Sequence, residues 1–236
     1  MTVRAVFFDA GETLLAPDPS FAELFAKVVE AEGVALDVTR VSEVVSASAE
    51  FFTELFRSEE GRLWSTSPDR SRTLWDSVYR HFLKQLGVPE EEHERLVDTL
   101  YARFSDVRSY RLHDDARPAL DALAASGVKL GLISNFEAWL DDLLAHLGVR
   151  DAFDVIVISG REGLEKPDPR IFEVALERAG VTAGESVYVG DHPLFDVEGA
   201  AAVGMRPVLI DRRGHHDDVD AIRLRSLEDL PAAIGL

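Results

Sequence analysis

The sequence predicts an α/β protein: a Rossmann-like parallel-sheet core with an inserted all-helical domain. Three observations carry that reading. After residue 114, short apolar runs alternate with helical stretches, the order that builds βαβ units and a parallel sheet. One further apolar run, 3–9, stands alone at the start and stops abruptly at Asp9. Residues from about 38 to 106 show apolar positions three and four apart and no strand pattern, as amphipathic helices do. The expected boundaries are 1–16 with 110–236 for the core and 17–109 for the helical insert.

The elements follow in order. Strand 3–9 ends in a turn-like Asp-Ala-Gly. Ser20 with Glu23 forms a capping-box pattern for a helix over 20–32, which Gly33 ends. Val41, Val44, Val45, Ala49, Phe52, Leu55 and Phe56 predict one helix over 40–58, with a polar loop at 58–61. Leu74, Val78, Phe82 and Leu86 predict a helix over 69–86, and Pro89 suits the first turn of another over 89–106. A helix over 115–126 opens the alternating part. Strands over 128–133, 154–158, 186–189 and 206–210 follow, with helices over 137–147, 169–179 and 194–203 between them. The tail beyond Gly214 is acidic and histidine-bearing and closes in a short helix at 226–234.

Composition narrows the function classes. The chain has 236 residues and no cysteine, so disulfides and thiolate metal sites are excluded. A formal charge of -18 argues against nucleic acid and anionic membranes as partners. No apolar run approaches the roughly 18 residues of a membrane span. The start, 1–4, lacks the features of a signal peptide. A cytoplasmic enzyme, monomeric or homodimeric, is the expectation.

Right-handed crossovers place the ends of all parallel strands on one edge, where open α/β sheets bind ligands. The residues there are Asp9, Ser134 and Asn135, Lys166 shortly after the third strand, and Asp191. Two carboxylates suit a hard cation such as Mg²⁺. A lysine supplies a point charge for phosphate, and a carboxylate nucleophile can form an aspartyl-phosphate.

Four stretches resemble the motifs of the haloacid dehalogenase superfamily. Asp9-Ala10-Gly11-Glu12-Thr13 resembles the first, DxxxT. The apolar strand ending in Ser134-Asn135 resembles the second, Lys166-Pro167 the third, and Gly190-Asp191 with Asp196 and Gly199-Ala200 the fourth. All four fall in order, and the helical insert after the first resembles that of the subgroup with a helical cap. Within it the chain looks most like the branch containing haloacid dehalogenase-like domain protein 3.

The resemblance implies an Mg²⁺-dependent phosphatase acting on a small phosphorylated metabolite. In that reading Asp9 attacks phosphorus. Asp9, the Gly11 carbonyl and Asp191 hold the metal. Thr13 orients the loop, while Ser134 and the Asn135 backbone hold the phosphoryl group. Lys166 neutralises charge, and Asp196 supports Lys166 or a metal-bound water.

One position departs from the pattern. Phosphatases of this superfamily carry a second aspartate two residues after the nucleophile, and here Gly11 stands there. Three functions fit. The chain is a phosphatase whose acid–base work falls to water, Glu12 or His192. Or it is a 2-haloacid dehalogenase using Asp9, a class that also lacks the second aspartate but uses no metal and keeps no equivalent of Asp191. Or it is a catalytically weak domain that serves as a binding module.

Several residues have plainer readings. Ser134 and Asn135 suit helix caps, Lys166 a surface lysine, Asp196 a first-turn acid, and His192 a loop residue. His215-His216-Asp217-Asp218 suits a solvated loop better than a metal site. Trp64, Trp75 and Tyr79 suit the core of the insert, and Arg57, Arg62, Arg70, Arg72 and Arg80 a salt-bridged surface.

Overall fold

The structure is a computed structural model and describes residues 2–58 and 61–236. The expectations for Met1, and for Glu59 and Glu60 of the polar loop, lie outside the described residues. Two compact units emerge. One comprises residues up to 16 and from 112 onward; the other is Pro17–Arg111.

In chain order the first elements are β1 (Ala5–Phe8), β2 (Leu15–Pro17) and the helices α1 (Phe21–Ala31), α2 (Val38–Ala47), α3 (Ala49–Arg57), α4 (Pro68–Gln85) and α5 (Glu90–Phe104). After them come β3 (Tyr110–Leu112), α6 (Ala116–Ala125), β4 (Lys129–Ser134), α7 (Leu140–His146), β5 (Val155–Ile158), α8 (Ser159–Glu162) and α9 (Pro169–Ala179). The chain closes with β6 (Ser186–Gly190), α10 (Gly199–Ala202), β7 (Arg206–Ile210), β8 (Ile222–Leu224) and α11 (Leu230–Ile234).

The α/β unit is built on a six-stranded sheet in the order β5-β4-β1-β6-β7-β8. Every neighbouring pair is parallel. β1 lies between β4 and β6, and Phe8 pairs with both Leu132 and Val189. Val6, Phe7 and Phe8 are completely buried, as expected for a strand covered on both faces. On one face Phe7, Ile133 and Tyr188 meet Ile171, Phe172 and Ala175 of α9. Gly131 is required there, because a Cβ would come within 2.3 Å of the Phe7 ring.

The helical unit has its own core, in which Phe25, Leu74, Val78, Tyr79, Phe82, Leu96 and Leu100 are almost fully buried. Trp64 and Trp75 pack against it. Ser20 caps α1 as its sequence predicts, accepting from the Glu23 amide and donating to its carboxylate. Arg72 pairs with Asp76 and Asp98. The two chain crossings, β2 and β3, pair with each other in a small second sheet.

Four expectations need correction. The helix foreseen over 40–58 is two helices, because Ser48 breaks it. Its hydroxyl bonds back to the Val44 carbonyl at 2.7 Å and meets His81 Nε2 at 3.0 Å, a local bond that competes with the helix ladder. Pro89 is the residue before α5, not part of its first turn. The helix foreseen over 194–203 starts as a π turn, Pro193–Glu198. There the His192 carbonyl accepts from both Asp196 N and Val197 N. Finally, the tail contributes an edge strand, β8, whose three residues Ile222-Arg223-Leu224 are too few to set a pattern.

Candidate active site

Register brings Asp9, Ser134 and Asp191 together. Since Phe8 pairs with Leu132 and Val189, Asp9 lies one residue short of the level of Ser134 and Asp191 on its two neighbours. The Asp9 amide donates to the Val189 carbonyl at 2.8 Å, so the carboxylate emerges where the sheet ends. Its Oδ1 accepts from Ser134 Oγ at 2.9 Å and from Lys166 Nζ at 2.7 Å.

Lys166 is not a surface lysine. It is buried, and its ammonium spends all three donors: on Asp9 Oδ1, on Asp196 Oδ1 at 2.6 Å and on the Tyr188 hydroxyl at 2.8 Å. Burial lowers the lysine pKa, but Asp196 and Asp9 outweigh it and hold the group at about 12. Lys166 is therefore a fixed positive charge, not a proton carrier. Asn135 sets its backbone, donating from Nδ2 to the Lys166 carbonyl at 2.9 Å and accepting from the Lys166 amide at 2.7 Å. Asn135 is thus a clamp between two strand ends, a function that its position after Ser134 does not reveal.

Asp196 is held from both sides. One oxygen faces Lys166 and the Tyr188 hydroxyl; the other accepts from the His192 amide at 2.9 Å. Gly190 makes room for it, since a Cβ there would come within 2.3 Å of the carboxylate carbon. His192 is itself a cap. Its Nδ1 accepts from the amides of Leu194 and Phe195, which fixes that nitrogen as unprotonated, and burial pushes its pKa down.

Asp9, Asp191 and Asp196 each bring a carboxylate oxygen within 4.8 Å of the others. Burial pushes Asp9 up despite Lys166 beside it. It pushes Asp191 further, with Asp196, Asp9 and Glu12 adding repulsion that Lys166 only partly offsets. Thr13 Oγ1 contacts Asp191 Oδ1 at 3.3 Å. One lysine thus faces a surplus of acids, and a divalent cation would relieve it. Asp196 is already engaged by Lys166, Tyr188 and His192, which leaves Asp9 and Asp191 as the better ligands. The Gly11 carbonyl accepts from the Thr13 amide at 2.6 Å and keeps a second lone pair. The histidine-bearing loop provides no such cluster among the described residues; the His215 and His216 amides donate to Asp211.

Two side chains of the site were missed in the sequence. Tyr188 lies inside an apolar strand run, where its ring reads as core; its hydroxyl also reaches the Ile133 carbonyl at 2.8 Å. Arg212 follows β7 in a charged stretch. It forms a two-pronged pair with Asp115 at 2.8 and 3.0 Å and donates to the Thr13 carbonyl at 2.8 Å.

Fold and site together define a Rossmann-like α/β domain with a carboxylate–lysine centre at its strand ends. A family model described as haloacid dehalogenase-like hydrolase matches residues 3–204, and the chain belongs to that family. Haloacid dehalogenase-like hydrolase domain-containing protein 3 of Mus musculus is 32% identical over 214 residues, 89% of this chain and 82% of that protein. Glyceraldehyde 3-phosphate phosphatase of Methanopyrus kandleri is 32% identical over 237 residues, 97% of this chain and 91% of that protein. In fold, the chain superposes on the magnesium-bound HAD-hydrolase YfnB of Bacillus subtilis with a TM-score of 0.78, covering all of both chains at 20% identity.

Proposed function

We propose that this hydrolase is an Mg²⁺-dependent phosphatase acting on a small phosphorylated metabolite through an aspartyl-phosphate at Asp9. The observation that carries the reading is the pairing of a buried Lys166 with Asp9 beside the acidic group Asp191 and Asp196. A metal-free dehalogenase needs no acid at the position of Asp191. The phosphatase names among the relatives agree with this reading.

In this mechanism the ester's phosphorus receives Asp9, the ester P–O bond breaks, and the leaving oxygen departs with the electron pair. Water then attacks the phosphorus of the aspartyl-phosphate, releasing phosphate and regenerating Asp9. Ser134, now donating to Asp9, turns its hydroxyl to a phosphoryl oxygen. Lys166 stays charged throughout and balances the charge of Asp9 and the phosphoryl group, which suits a reaction driven by positioning and electrostatics. Asp9, Asp191 and the Gly11 carbonyl are the groups that would hold Mg²⁺; when bound, it supplies charge neutralisation for the phosphoryl oxygens.

Gly11 cannot protonate the leaving group. His192 Nδ1 is consumed as a cap, and Glu12 is exposed. Losing a positioned acid costs about 10²–10⁴ in rate, least for leaving groups that need no proton. Aryl and acyl phosphates should therefore be preferred to alkyl phosphates. A series of phosphate esters with Mg²⁺ tests this: kcat/KM rising as leaving-group pKa falls supports it, and a flat series contradicts it. Chloride release from a 2-haloacid without metal would replace the phosphatase reading with the dehalogenase one.

A further inference from the structure

We propose that Arg212, braced by Asp115, is a positioning residue that holds the loop between Asp9 and Thr13 in working shape; this rests on the reading of that loop as the reactive one. The loop's carbonyls find donors in a definite pattern. Ala10 O accepts from Leu14 N and Leu15 N, Gly11 O from Thr13 N, and Leu14 O from His113 N. Thr13 is completely buried, so its carbonyl needs a donor. Arg212 Nη2 supplies it at 2.8 Å, and Nε reaches the Glu12 carbonyl at 3.4 Å.

The same guanidinium forks onto both oxygens of Asp115. Asp115 is buried and further fixed by the Ser226 hydroxyl at 3.0 Å and the Leu227 amide at 2.9 Å. The brace therefore runs from the C-terminal segment through Asp115 and Arg212 to the backbone of residues 12 and 13. Glu12 has φ 54°, in the left-handed region that a glutamate seldom adopts. Bonds to the successive carbonyls of Glu12 and Thr13 hold it there. On the far side of Thr13, the hydroxyl touches Asp191. A loosened Arg212 would let Thr13 and the Gly11 carbonyl drift from the acids they accompany.

Lysine cannot reproduce the fork, so Arg212→Lys is the informative variant, with Asp115→Asn as a milder companion that keeps the arginine. Three readouts apply to the full chain: hydrogen–deuterium exchange of residues 10–15, Mn²⁺ affinity by electron paramagnetic resonance, and steady-state kinetics on p-nitrophenyl phosphate. In Arg212→Lys we expect exchange in the loop about a hundred-fold faster with the sheet unchanged. We expect Mn²⁺ affinity and kcat each reduced about ten-fold or more, with KM within about two-fold. Asp115→Asn should shift the same quantities by less. Loop exchange and Mn²⁺ affinity equal to wild type would overturn the proposal, as would a faster loop with unaltered affinity. A wild type that hydrolyses no phosphate ester would defeat the phosphatase reading instead, leaving exchange and Mn²⁺ binding to decide the part played by Arg212.

Discussion

Lys166 Nζ lies 2.6 Å from Asp196 Oδ1, with both side chains almost wholly withdrawn from solvent. A buried ion pair of this kind gives little net stability, but breaking it leaves an uncompensated charge and costs about 3–5 kcal/mol. Lys166→Met should lose stability of that order in urea at pH 7, because Asp196 and Asp9 both lose their cation. An unchanged unfolding midpoint would mean that the pair is not buried as described.

The two glycines of the site should behave oppositely. A Cβ at Gly190 would run into the Asp196 carboxylate, whereas one at Gly11 meets no atom within 4 Å. Gly190→Ala should destabilise by about 1–3 kcal/mol and lower activity by displacing Asp196. Gly11→Asp should fold normally and raise alkyl phosphate turnover by up to about 10². Thermal melts and esterase series on both variants check the pair; equal effects at the two sites would contradict it.

Tyr188→Phe removes a hydroxyl that accepts from Lys166 and reaches the Ile133 carbonyl. Leaving those buried partners short by one bond should cost about 1–3 kcal/mol. The lysine should keep its charge, since Asp196 and Asp9 sustain it. The activity profile should then show no new ionisation between pH 6 and 9; a new one would mean that Tyr188 helps set the lysine pKa.

Stability without metal should depend on pH in two directions. Asp9 and Asp191 have raised folded-state pKa values, so their contribution is full below the unfolded value of 3.8 and lost as pH rises through the folded values. Asp115 is shifted the other way: burial alone would raise it, but Arg212 and the Leu227 amide outweigh that. Its contribution is present above 3.8 and lost as pH falls through its lowered folded value. In chelator, lowering the pH through the raised folded values of Asp9 and Asp191 should therefore raise the melting temperature, and lowering it further, below the unfolded value of 3.8, should reduce it as Asp115 is protonated. Added Mg²⁺ at pH 7 should raise it by mass action. Calorimetry across this range checks the signs.

Much of this arrangement was legible because strand ends announce themselves. Apolar runs that stop at Asp9, at Ser134 and at Gly190-Asp191 carry both the fold and the chemistry, and a parallel sheet has one edge on which to gather them. What stayed hidden depends on side-chain direction. Tyr188 alternates into an interior layer that the sequence fills with apolar residues. Asn135 reads as a cap until Lys166 is folded back against it. Arg212 reaches residues 12 and 13 across nearly the whole chain length, a contact no local pattern signals. The break at Ser48 and the π turn after His192 go with a few local hydrogen bonds that periodicity averages away.

The central claim is that Asp9 is the nucleophile of a metal-dependent phosphoryl transfer. The most direct measurement is phosphate release from p-nitrophenyl phosphate, with Mg²⁺ and with chelator, for wild type and Asp9→Asn side by side. The account predicts release that requires Mg²⁺ and disappears in Asp9→Asn while the fold is kept. Release that survives in Asp9→Asn, or wild-type release no greater than that of the variant, would contradict it.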